Sequence, residues 1–176
     1  MKKQIKKTSK LVKETEAVYK RPSWDEYFIK LAEMVGSRGT CDRGRMGVVI
    51  VKEKRILATG YVGAPVGLPS CDEVGHEMQT VTHEDGTVSR HCVRTSHGEI
   101  NAIANAARVG ISIEGATIYS TLFPCYTCAK VAINAGIKRI VATKDYHATS
   151  EAKKVLKQAK VEMVIINNEV EFYKDQ

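Results

Sequence analysis

From residue 97 onward the chain alternates helix and strand patterns three times, and this constrains its fold more than any other feature. The run "HGEINAIANAARVG" spaces its apolar residues as a helix does and is closed by Gly110, and "GATIYSTL" reads as a buried strand. "CYTCAKVAINAG" is a second helix closed by Gly136, followed by the strand "IKRIVATK", the helix "SEAKKVLKQAK" and the strand "VEMVIINN". Such alternation implies largely parallel strands joined by helical crossovers. Upstream, Ser23 with Glu26 three residues later predicts a capping box opening a helix through "RPSWDEYFIKLAEMVGSRG". Trp24, Phe28, Leu31, Ala32 and Val35 recur at core-facing spacing, and Gly36 and Gly39 mark the end. "MGVVIVK" and "KRILATGYV" flank the charged turn "KEKR" and predict an antiparallel hairpin. The expected fold class is therefore α/β, a mixed sheet with helices on both faces.

The 176 residues suit one domain. Residues 1–21 hold eight Lys or Arg against Glu14 and Glu16, so this stretch carries +6 of the net +7. The basic character belongs to a tail (1–21), expected to be solvated, and not to the body (22–176), which argues against nucleic acid as the main partner. No apolar run approaches the ~20 residues that span a bilayer, and no apolar stretch follows the basic start to make a secretory signal. A cytoplasmic protein with no membrane partner is expected. Five Cys without a secretion signal argue against a disulfide framework. Residues 63–96 form a long segment rich in Gly and Pro at its start, with a hairpin turn expected at Asp85-Gly86. A loop of that length in a compact domain is functional or held by something.

Two short motifs suggest what the fold carries. Cys125 and Cys128 lie three apart at a helix start behind Pro124, so their sulfurs point the same way and the helix N-terminus favours thiolates. His97 opens another helix. One imidazole and two thiolates make three zinc ligands and leave the fourth tetrahedral position open, which is the catalytic arrangement. Glu99, two residues past the His, is placed to move protons without binding metal. Either motif alone is weak, because an isolated His-x-Glu is commonly an ordinary helix start and an isolated Cys-x-x-Cys also fits a redox pair. Together they are specific.

His-x-Glu followed by Pro-Cys-x-x-Cys is the signature of the zinc nucleobase deaminases. Beyond it, "RPSWDEYF", "GVVIVKEKRILATGY", "GAPVGLPSCDEVGH", "HCVRTSHGEINAIANAARVGISIEGATIY" and "FPCYTCAKVAINAGIKRIV" resemble the deoxycytidylate deaminase family across roughly residues 21–165. The resemblance implies a three-layer cytidine deaminase-like fold with a five-stranded mixed sheet, and conversion of dCMP and water to dUMP and ammonia in pyrimidine deoxynucleotide supply. It implies His97, Cys125 and Cys128 as ligands of a catalytic Zn2+, and Glu99 as the proton shuttle. Gly98, where relatives usually have Ala, would lie near the pyrimidine carbonyl, and Tyr146 would line the substrate site. It also implies a homo-oligomer, a hexamer by preference, regulated by dCTP and dTTP with Mg2+, with the insertion at about 63–92 involved. The chain departs from the family at Val62, where relatives carry an Asn that contacts the nucleotide. Altered specificity, lapsed activity with retained binding, or action on RNA or single-stranded DNA are the competing readings.

A second cluster lies in and beside the insertion: Cys41, Cys71 and Cys92 with His76, His83 and His91. Some deoxycytidylate deaminases hold a structural zinc there, with Cys at positions matching Cys41 and Cys71. Cys41, Cys71, His76 and one of His91 or Cys92 are the expected ligands. Buried thiols with solvent-facing imidazoles are the alternative.

Overall fold

The computed structural model describes residues 19–82 and 88–172. Most of the basic tail, His83 and the turn at Asp85-Gly86 lie outside them. In chain order the elements are α1 (Trp24–Gly36), β1 (Gly47–Lys52), β2 (Arg55–Tyr61), α2 (Cys71–Val74), β3 (Met78–Thr82), β4 (Val88–Cys92), α3 (Gly98–Arg108), β5 (Thr117–Leu122), α4 (Tyr126–Asn134), β6 (Arg139–Tyr146), α5 (Ser150–Gln158), β7 (Glu162–Ile165) and β8 (Val170–Glu171).

The main sheet runs in the order β2-β1-β5-β6-β7. Its first two pairings are antiparallel and its last two parallel. This is the five-stranded mixed sheet that the family resemblance implied, and its parallel half is the one that the alternation after residue 97 predicts. A short sixth strand, β8, pairs with β6 where β7 has ended. The β1–β2 loop closes on Glu53 and Lys54, both at positive φ, the handedness that two-residue hairpin loops need. Segment 63–96 is less irregular than expected. It holds the one-turn helix α2 and the β3–β4 hairpin, and its ends are tied by an antiparallel bridge between Gly63 and Ser96.

Strand alternation divides the core into two layers. Val48, Ile50, Ile118, Ile140 and Ala142 face α3, α4 and α5, which answer with Ala102, Ala106, Ala129, Ala132, Ala152 and Leu156. Val49, Val51, Tyr119 and Val141 face α1, which contributes Phe28, Ile29 and Ala32. Small Ala side chains let the three helices lie close on the sheet. Ser23 and Glu26 make the capping box that starts α1. Trp24 departs from expectation: it is 50% exposed. At the first position of α1 it lies over the sheet's rim, stacked on Phe28 at 5.6 Å with Lys54 Nζ 5.3 Å from its ring. No helix among the described residues is long and apolar enough to cross a membrane.

Candidate metal centre and active site

The carboxyl end of β5 runs through Phe123 and Pro124 into α4, whose N-cap is Cys125. The N-cap of α3 is His97. Neither side chain caps its own helix, so both are free to face each other across the gap between the helix starts. His97 Nδ1 lies 3.5 Å from Cys125 Sγ and 3.4 Å from Cys128 Sγ. A tetrahedral ion with bonds of about 2.0–2.3 Å would set nitrogen and sulfur about 3.5 Å apart, so the three donors fit zinc. Cys128 is buried, Cys125 half-buried and His97 exposed towards the cavity, which leaves one side of the triangle open.

The electrostatics suit metal capture. Cys125 is brought down to about 4, first by its hydrogen bond with Cys128 and then, against burial, by His97. His97 rises to about 9, chiefly through its hydrogen bond with Cys125. Cys128 is pushed up by Cys125 and by burial. A thiolate is thus available at neutral pH, and binding a cation expels the remaining protons. Glu99 is buried one helical step inside α3, and burial raises its carboxyl above the ordinary value against the pull of His97. A carboxyl raised in this way holds a proton more readily than an exposed one, as a group that must both accept and return it requires.

A cavity of about 540 Å³ opens on this triangle, bordered by His97, Glu99, Cys125, Val62, Tyr146 and Arg43. Tyr146 ends β6, and its hydroxyl is raised by burial and by Cys125. Val62 borders the cavity but is buried, packed with Cys41, Cys71, Met46 and Cys92. Gly98 is buried beneath the site, and a Cβ there would come within 3.1 Å of Val48 Cγ2. Arg43 was not expected from the sequence. It borders the cavity with Nη2 buried and without a hydrogen-bond partner. Its only signal in the sequence is its place two residues after Cys41, because burial of a guanidinium cannot be read from a string of residues.

The structure also brings together Cys41, Cys71, His76 and Cys92, with all donor atoms within 4.8 Å of one another. Cys71 and Cys92 sulfurs are 3.5 Å apart, and His76 Nδ1 is 3.8 Å from Cys41 Sγ. His76 Nε2 pairs with Asp42 at 3.0 Å, the outer carboxylate contact usual for a ligating imidazole. Four protein donors, enough to complete a tetrahedral shell, fit a structural zinc. His91 is not among them: one residue before Cys92 on β4, its Nε2 meets Ser89 Oγ at 2.9 Å.

A mixed sheet with two helix starts converging on an open three-donor site is the arrangement of a catalytic zinc domain. The chain matches the family model described as the cytidine and deoxycytidylate deaminase zinc-binding region over residues 22–144. It belongs to that family. It is 37% identical over 141 residues to ComE operon protein 2 of Bacillus subtilis, covering 80% of this chain and 70% of that protein. It is 38% identical over 139 residues to the deoxycytidylate deaminase of Saccharomyces cerevisiae, covering 79% of this chain but only 43% of the yeast protein. The dCMP deaminase of cyanophage S-TIM5, solved in complex with dCMP and dUMP, superimposes with a TM-score of 0.65 at 29% identity. That alignment covers 82% of this chain and 98% of the phage chain.

Proposed function

We propose that the chain catalyses zinc-dependent hydrolytic deamination of dCMP to dUMP and ammonia. The observation that carries this reading is the open triangle of His97, Cys125 and Cys128 beside a buried carboxyl, Glu99, on one cavity. The phage relative bound to dCMP and dUMP supports the choice of substrate. Zinc held by the three donors supplies a Lewis acid that makes water a nucleophile at neutral pH. The chain's own residues do the rest. Glu99 takes a proton from the attacking water and passes it to ring N3 as oxygen adds at C4. It then relays the second proton to the amino group, the C4–N bond breaks, and ammonia leaves. Tyr146 forms part of the wall against which the base packs. Arg43, a guanidinium on the lining of the same cavity, is the cation placed to receive the 5′-phosphate. That contact offsets the apolar Val62, which offers the nucleotide no hydrogen bond.

Ammonia release is measured from dCMP, dCTP, deoxycytidine and cytidine with zinc-loaded protein. Turnover fastest on dCMP is expected, and no release from any of the four sinks the proposal. Cys41, Cys71, His76 and Cys92 hold a second, structural zinc, so metal analysis should return two zinc atoms per chain, and a single atom overturns it. By resemblance, the protein assembles as a cytoplasmic hexamer regulated by dCTP and dTTP with Mg2+. Sizing chromatography and assays with each nucleotide test those two features.

A further inference from the structure

Tyr146 ends β6 and borders the cavity. Its place there depends on what pairs with the end of β6. β7 pairs with β6 only as far as Ala142↔Ile165. On the other side, β5 pairs with β6 as far as Leu122↔Lys144, and Phe123 N–H donates to the Lys144 carbonyl at 2.9 Å. The last two residues of β6 have thus outrun both neighbours. β8 takes over there, pairing Asp145 with Val170 and Tyr146 with Glu171. Asp145 N–H donates to the Glu169 carbonyl at 2.9 Å, and His147 N–H to the Glu171 carbonyl at 3.2 Å. Side chains reinforce the pairing. Lys144 Nζ reaches Glu169 at 3.0 Å and Glu171 at 3.5 Å. The His147 ring stacks on Phe172 at 5.5 Å and 11°, and meets the Tyr146 ring edge-on at 4.6 Å.

We propose that β8 and Phe172 are positioning elements of the active site, holding Tyr146 against the bound pyrimidine nucleotide through the backbone ladder and the His147 ring. The proposal rests on the deamination reading above. Phe172 does not border the cavity and acts only through His147 and Tyr146. The segment contributes little to the core: Phe172 is 71% exposed. Its loss should therefore be felt at the site before it is felt in stability.

The test uses the full-length, zinc-loaded protein with Phe172→Ala, Phe172→Tyr and Glu171→Pro, the last removing a ladder N–H. Calorimetry reads dUMP affinity, and ammonia release reads KM and kcat for dCMP. Phe172→Ala should weaken dUMP binding and raise KM by about fivefold, the size of one lost aromatic contact. Its kcat, melting temperature and zinc content should stay near wild type. Phe172→Tyr should restore affinity, and Glu171→Pro should weaken it at least as much as Phe172→Ala. Unchanged affinity in both Phe172→Ala and Glu171→Pro overturns the proposal. So does a loss that appears only together with lost zinc or a lowered melting temperature, which would mark a purely structural strand. If the wild type binds dUMP and the variants weaken it while no ammonia is released, the positioning role stands and the deamination reading falls. A wild type that neither binds dUMP nor releases ammonia overturns both.

Discussion

Glu99 and Arg43 border one cavity and carry opposite demands. Glu99 is a buried carboxyl whose ionised form is disfavoured by burial, so it can both accept and return a proton. Replacing it with Gln keeps the shape and removes the exchange. Glu99→Gln should lower kcat by about 10²- to 10⁴-fold, the usual worth of a positioned acid–base group. Zinc content should be retained, and loss of metal would show that Glu99 is a ligand. Arg43 has a buried Nη2 in want of an acceptor. Arg43→Ala should raise KM for dCMP by about tenfold or more, as expected for a lost charge-assisted hydrogen bond of ~1.5–3 kcal/mol. Its effect on deoxycytidine, which has no phosphate, should be small. An equal loss on both substrates would place the phosphate elsewhere. That His97, Cys125 and Cys128 would meet was legible in the sequence, because both motifs sit where helices begin. Arg43 was not, because its importance lies in what fails to surround it.

At the scale of elements, the approach of α3 to β2 determines where His97 and Glu99 stand. A Cβ on Gly60 would fall 2.3 Å from the Ala102 nitrogen and 2.3 Å from the Gly98 carbonyl oxygen, both backbone atoms that cannot move alone. Gly60→Ala should therefore push α3 off the sheet, destabilising the fold by about 3 kcal/mol, the upper end for overpacking. Chemical denaturation reads the stability and metal analysis reads the site, with zinc affinity expected to fall as well. The elements following residue 97 could be read ahead because their apolar periods are long and Gly closes two of the helices. β8 could not: two residues, Val170 and Glu171, have no period, and pairing comes only from the end of β6. The β3–β4 hairpin was only half visible, since "MQTVT" and "VSRHC" are mostly polar strands whose pairing shows little in a hydrophobic pattern. Trp24 was misplaced for a related reason. Helical spacing identifies a face, but the sheet's rim decides how far that face is covered.

Across the whole molecule, one polar network ties α1 to three strands. Arg139 on β6 makes two hydrogen bonds of 2.8 Å to Asp25 on α1 and one of 2.9 Å to Glu162 on β7. Tyr119 on β5 donates to Asp25 at 2.8 Å. Arg139 holds the Asp25 carboxyl below its ordinary value of 3.8, outweighing burial, and Tyr119 adds to the effect. A depressed carboxyl contributes stability that is fully present above its unfolded value and is lost as pH falls through the folded one. Asp25→Asn should cost about 1–2 kcal/mol at pH 7, after allowance for the pair's partial exposure. The difference in melting temperature from wild type should persist down to about pH 5, shrink as the unfolded carboxyl protonates around its ordinary value of 3.8, and vanish only below the lower folded value. A constant difference across that range would remove the ion pair from the account.

The bridge between Gly63 and Ser96, with N–H to carbonyl distances of 3.3 and 2.9 Å, has a consequence for how this architecture can change over time. It makes the intervening segment a detour whose two ends meet just ahead of His97. Doubling the length of a loop with tied ends adds only about 0.6 kcal/mol. Residues can therefore be gained or lost between Thr82 and Val88 without altering the tie that precedes His97. That stretch is where descendants of this chain can vary in length while the chemistry is inherited unchanged.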